Sequence, residues 1–147
     1  MMTDRRDVDD AKGYTQMNDA SGRVACERPL LLVVEDEPLV RELIVLELED
    51  AGYDVVEAED GPTALEILER TPGVQLLFTD IRLPGGMTGW DIAEHARALR
   101  PGLPVIYTTG YSSDDLRLVA GAHFLKKPYR PAAVIAAISE FGIAPPA

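Results

Sequence analysis

Five side chains in this sequence could share one piece of chemistry. Glu35, Asp36 and Asp80 are carboxylates, Thr109 offers a hydroxyl, and Lys127 offers an ammonium. Each follows a short apolar run, so a fold that aligned those runs would bring all five to one rim. The chain carries 25 acidic residues, so one acid in such a place means little, but three acids with a hydroxyl and a lysine form a constellation. Clustered carboxylates repel one another, and they favour either raised pKa values or a bound divalent cation. Oxygen-only ligands with few protein contacts suit Mg2+, which keeps several waters and takes a phosphoryl oxygen readily. Lysine can act as a point charge on that phosphoryl group, and the threonine hydroxyl can donate to another of its oxygens. One carboxylate is then left to attack phosphorus and form an acyl phosphate.

The elements that must position these residues begin at Leu30. Apolar runs at Leu30 to Val34, Asp54 to Ala58, Val74 to Thr79, Leu103 to Thr108 and Ala122 to Lys126 alternate with amphipathic segments. That alternation predicts an α/β fold with a parallel sheet. The second and fifth runs are interrupted by charge or histidine, as edge strands are, whereas the other three are nearly continuous and fit strands buried on both faces. Pro38, Pro62 and Pro131 mark helix starts, and Gly52, Gly73 and Gly142 fall at or beyond helix ends. Ile92, Ala96 and Leu99 share a face of the third helix, which Trp90 begins, and Val134, Ile138 and Phe141 share a face of the last. In the first helix Glu47 lies among Leu43, Ile44 and Leu48 on the stripe expected to face the sheet. It is read as a solvated rim residue in preference to a buried carboxylate, for which no partner can be named. Right-handed crossovers then put helices on both faces and a crevice at the carboxyl ends of the central strands.

At 147 residues the chain has room for one domain. Residues 1–28 are polar and mixed in charge and read as a disordered tail, 29–142 as the folded domain, and 143–147 as a short C-terminal tail. No apolar run approaches the ~20 residues a membrane span needs, and the acidic, basic start has no apolar segment behind it, so a cytoplasmic address is expected. Cys26 stands alone and permits no internal disulfide. A formal net charge of -11 argues against direct binding to nucleic acid.

Four motifs carry a family resemblance: Leu31-Leu32-Val33-Val34-Glu35-Asp36-Glu37-Pro38, Leu77-Phe78-Thr79-Asp80-Ile81-Arg82-Leu83-Pro84, Thr108-Thr109-Gly110 and Lys126-Lys127-Pro128-Tyr129. In this order and spacing the chain resembles a response-regulator receiver domain of two-component signalling, from about Leu30 to Phe141. The resemblance implies a flavodoxin-like (βα)5 doubly wound parallel sheet with strand order 2-1-3-4-5 and a cis Lys127-Pro128 bond. It implies Asp80 as phosphoacceptor, Asp36 as direct Mg2+ ligand, Glu35 as its water-mediated neighbour, and the Arg82 backbone carbonyl completing the metal site. Thr109 would sense the phosphoryl group, Lys127 would pair with it, and Phe124 holds the aromatic switch position. A histidine kinase or phosphotransfer protein would be the donor and a downstream protein the target, with the chain a monomer or weak homodimer.

Three features depart from the common receiver. The loop from Pro84 to Gly89 is one residue longer, and Tyr107-Thr108-Thr109-Gly110-Tyr111 resembles the Phe-Ala-Thr-Gly-Tyr type, which is often a single domain or joined to a hybrid kinase. The Gly110 to Gly121 connection is also short, so the fourth helix is expected to be short or irregular, about two turns over Asp114 to Ala120.

Blander readings exist for each residue. Asp36 and Asp80 could be helix caps, but Pro38 already starts the first helix and a Pro/Gly loop separates Asp80 from the next. Thr109 alone would be a turn residue and Lys127 a surface charge. His95 and His123 read as exposed or satisfied histidines, since no second ligand stands at metal spacing. A rival function, a Mg2+-dependent phosphohydrolase, lacks a second acid two residues after Asp80, where Arg82 stands. The expectation is a non-enzymatic single-domain regulator, with no DNA-binding domain after Phe141.

Overall fold

The computed structural model describes residues 28–110 and 117–146. Five strands, β1 (Leu30–Val34), β2 (Asp54–Ala58), β3 (Val74–Asp80), β4 (Val105–Thr109) and β5 (His123–Lys126), form one sheet in the order β2-β1-β3-β4-β5. Every pairing is parallel. The outer strands are the two that charge and histidine interrupt. Strands β1, β3 and β4 are almost wholly buried, as apolar strands covered on both faces must be.

Helices α1 (Pro38–Asp50), α2 (Gly61–Arg70), α3 (Gly89–Leu99) and α4 (Pro131–Glu140) cover the sheet. Their starts have local chemical causes. Pro38, Pro62 and Pro131 occupy first-turn positions that need no N–H. The Asp60 side chain caps α2 by accepting from the Thr63 amide at 2.9 Å, and Thr88 with Asp91 forms a reciprocal capping box at α3. The side chains of β1, β3 and β4 alternate between two cores. Leu32, Val34, Leu77 and Tyr107 pack with α2 and α3, while Leu31, Val33, Phe78 and Ile106 pack with α1 and α4.

The helical stripes differ from expectation at their margins. In α1 the buried residues are Ile44, Val45 and Leu48, and Leu43 is 65% exposed with Glu47 exposed beside it. The burial axis passes between Ile44 and Val45, so both flanks face solvent and Glu47 keeps its hydration. Leu99 is also exposed, because α3 ends there and the chain turns away at Arg100. The strands run slightly later than their sequence signals: β4 starts at Val105, after Pro104, and β3 extends to Asp80.

Residues beyond both expected boundaries pack on the fold. Arg28 hydrogen-bonds the carbonyls of Gly52 (3.0 Å), Tyr53 (3.1 Å) and Glu49, satisfying acceptors at the end of α1. Ile143 is buried, and its carbonyl accepts from the Tyr53 hydroxyl at 3.1 Å. The rest of the expected N-terminal tail, with Cys26, lies outside the described residues, as do residues 111–116, which include the start of the short helix expected over Asp114 to Ala120. Arg117 to Ala120, the described part of that expected helix, carry no helix. Among the described residues no helix is long and apolar enough to cross a membrane.

Candidate functional site

Parallel register puts the chemistry at one rim. Val34 pairs with Thr79, Asp80 with Thr108, and Thr109 with Lys126. Glu35, Asp80, Thr109 and Lys127 therefore end or immediately follow neighbouring strands β1, β3, β4 and β5. The ladder continues past the strands through Ile81 N to Thr108 O (2.9 Å) and Lys127 N to Thr109 O (2.8 Å). These bonds fix the backbone on both sides of the crevice. The peptide between Lys127 and Pro128 is cis.

Lys127 lies at the centre of the site. Its Nζ donates to Glu35 Oε1 at 2.9 Å and to Asp80 Oδ2 at 3.0 Å. Glu35 and Asp80 are both buried, and an ammonium between them offsets a repulsion that burial would magnify. Burial pushes the Glu35 carboxyl above its ordinary value, with the Lys127 bond opposing. Burial also acts against the Lys127 charge, but the bonds to Glu35 and Asp80 outweigh it and hold the ammonium above its ordinary value.

Glu35, Asp36 and Asp80 each place a carboxylate oxygen within 4.8 Å of the others. This all-oxygen set fits a hard cation such as Mg2+. The two Glu35 oxygens are already engaged, one by Lys127 and the other by the Glu37 amide at 3.1 Å. Asp36 is exposed at the mouth. Thr109 is buried at the end of β4, Arg82 is exposed after Asp80 with its amide 3.4 Å from Asp80 Oδ1, and Phe124 is half-buried in β5 against the α2/α3 core. His95 is exposed, and His123 lies 3.3 Å from Glu140, away from the acids.

A single family model spans this whole arrangement: the response regulator receiver domain matches residues 31–139. The chain belongs to the response regulator receiver family. The receiver is 34% identical over 103 residues to the response regulator receiver protein CpdR of Brucella abortus, covering 67% of this chain and 84% of that one. It is 39% identical over 105 residues to the response regulator protein PilR of Pseudomonas aeruginosa, covering 69% of this chain but 23% of PilR, so it spans about a quarter of such longer relatives. A response regulator receiver protein from Sinorhizobium medicae superposes with a TM-score of 0.75 at 29% identity, covering 78% of this chain and 94% of that one. Receivers bind Mg2+ at an acidic site and serve two-component signalling, and the strand order found here is theirs.

Three residues shape this receiver's site without having been singled out from sequence. Gly89 packs on the Asp80 backbone, Arg41 bonds the Glu35 carbonyl at 2.6 Å, and the Tyr129 ring stands edge-on to Phe78 at 5.9 Å. Burial, with the nearby Glu35 charge, pushes the Tyr129 phenol up to about 12, so it stays a neutral donor. Tyr129 lies in a quoted motif and Gly89 ends the Pro/Gly loop, yet neither shows its contact in sequence. Arg41 gives no signal beyond its place on the first helix.

Proposed function

We propose that this receiver accepts a phosphoryl group on Asp80 from the phosphohistidine of a histidine kinase or phosphotransfer protein and signals by phosphorylation-dependent binding to a downstream protein. The observation that carries the reading is the Lys127 ammonium bridging Glu35 and Asp80 beside an exposed Asp36. Asp36, Asp80 and the Arg82 carbonyl would hold Mg2+ directly, with Glu35 acting through water. The cation, when bound, neutralises charge on the transferring group. An Asp80 oxygen forms the new bond to phosphorus while the donor's N–P bond breaks, leaving an acyl phosphate here and a dephosphorylated histidine on the donor. Lys127 then exchanges its Asp80 contact for the phosphoryl group, and the Thr109 hydroxyl donates to another phosphoryl oxygen. Phe124 follows Thr109 as the switch residue facing the α2/α3 core.

The chain works as a single-domain regulator in a cytoplasmic phosphorelay, with no turnover of free substrates. The test is beryllofluoride, a phosphoryl mimic. Mg2+-dependent change in Trp90 fluorescence is expected in the wild type and absent in Asp80→Asn, and an identical response in that variant contradicts the assignment.

A further inference from the structure

One charged side chain packed on the metal-site loop has no part in the reading above. Arg41 stands on the first turn of α1, where Nη1 donates to the Glu35 backbone carbonyl at 2.6 Å and Nε donates to Glu57 Oε1 at 3.1 Å. The Arg41 side chain is 19% exposed and the Glu57 side chain 48%, so the ion pair by itself stabilises little. The carbonyl bond matters more because of where it acts. The Glu35 amide is tied to the Ala58 carbonyl of β2 at 3.0 Å, and the Glu35 carbonyl belongs to the same peptide plane as the Asp36 amide. Arg41 thus fixes the plane from which Asp36 departs. Because Asp36 is exposed, its aim toward Asp80 depends on its main chain.

Two effects of Arg41 on a cation oppose each other. Its charge repels Mg2+, while its clamp preorganises a ligand. We infer that Arg41 is a positioning residue of the metal site, raising Mg2+ affinity by fixing the Glu35–Asp36 peptide although its own charge opposes the ion. The inference rests on Mg2+ binding at Glu35, Asp36 and Asp80.

Calorimetric titration of the full chain with MgCl2, with no phosphodonor present, separates the two effects by sign. Arg41→Gln is expected to bind Mg2+ about 10-fold more weakly than wild type, and Arg41→Lys, which keeps the repelling charge but loses the fork, is expected to bind no more tightly than Arg41→Gln. Cooperative thermal unfolding in EDTA checks that each variant is folded. Equal or tighter binding by Arg41→Gln overturns the inference, since that is the sign of charge alone. If Arg41→Gln does not fold, Arg41→Lys decides: affinity equal to wild type overturns the clamp, and weaker affinity supports it. A wild type that takes up no Mg2+ overturns the metal reading and the clamp with it, whereas wild-type binding with unaltered variants contradicts only the role of Arg41.

Discussion

Gly89 seats the first turn of α3 directly on the backbone of Asp80. A Cβ at Gly89 would stand 2.2 Å from the Asp80 carbonyl oxygen and 2.9 Å from the Ile81 Cα, and the Gly89 amide already donates to the Ile81 carbonyl at 2.8 Å. Neither obstacle is a side chain that can swing aside. Gly89→Ala therefore forces the end of β3 away from α3, and the alanine's helix propensity of about 1 kcal/mol recovers only part of the cost. A net loss of about 2 kcal/mol in urea unfolding is expected, together with slower phosphorylation. An unchanged midpoint contradicts the close approach.

Lys127→Met leaves Glu35 and Asp80 facing each other without their shared cation. Breaking a buried pair costs about 3–5 kcal/mol, and a partly exposed lysine scales this to roughly 2–3 kcal/mol in EDTA. Saturating Mg2+ should restore part of the loss, because it binds only the folded acids. The folded-state pKa of Lys127 lies above its ordinary 10.5, so its contribution is complete below that pH and disappears as pH rises through the folded value. The stability gap between wild type and variant should thus hold steady to about pH 10 and close above it. A gap that opens with rising pH refutes this sign.

The start of α3 should carry an acid-sensitive contribution. The Thr88 backbone amide, with smaller help from its hydroxyl and Arg117, holds the Asp91 carboxyl below its ordinary 3.8. That stability is present above 3.8 and lost as pH falls through the lower folded value. Thr88→Ala should cost about 1 kcal/mol at neutral pH, and Asp91→Asn should flatten the acid limb of a stability-pH curve. Superimposable acid limbs for Asp91→Asn and wild type count against the capping box.

Thr109 sits between the site and the described end of the β4–β5 connection. Its carbonyl accepts from the Lys127 amide at 2.8 Å, and two residues earlier the buried Tyr107 hydroxyl accepts from the Val119 amide at 3.1 Å. Thr109→Ala should leave Mg2+ affinity within about twofold, since it removes no metal ligand, while abolishing the beryllofluoride-induced change in hydrogen exchange at Val119 and Lys127. If the variant's amides respond as the wild type's do, Thr109 is not the link.

Much of this was legible in the sequence because it depends on local chemistry repeated along the chain. Continuous apolar runs against interrupted ones assigned β1, β3 and β4 to the interior and β2 and β5 to the edges. The acids, Thr109 and Lys127 converge because a parallel sheet aligns its carboxyl ends. What was hidden depends on contacts between distant segments. The Gly89 approach to Asp80 needs the trajectory of the loop through Gly85 and Gly86, both at φ 85°. Arg28 and Ile143 looked like tail because each packs at the α1–β2 turn, from opposite ends of the chain. Leu43 and Leu99 matched a helical period, but the period gives a stripe's spacing and not its centre.

The most direct test is the site of covalent modification. Incubated with acetyl phosphate and Mg2+, the wild-type chain should gain one phosphoryl group, mapped by peptide mass spectrometry to Asp80, and should gain none in EDTA or as Asp80→Asn. Undiminished labelling of Asp80→Asn, or equal labelling of wild type without divalent cation, contradicts phosphoryl transfer to Asp80 at a Mg2+ site.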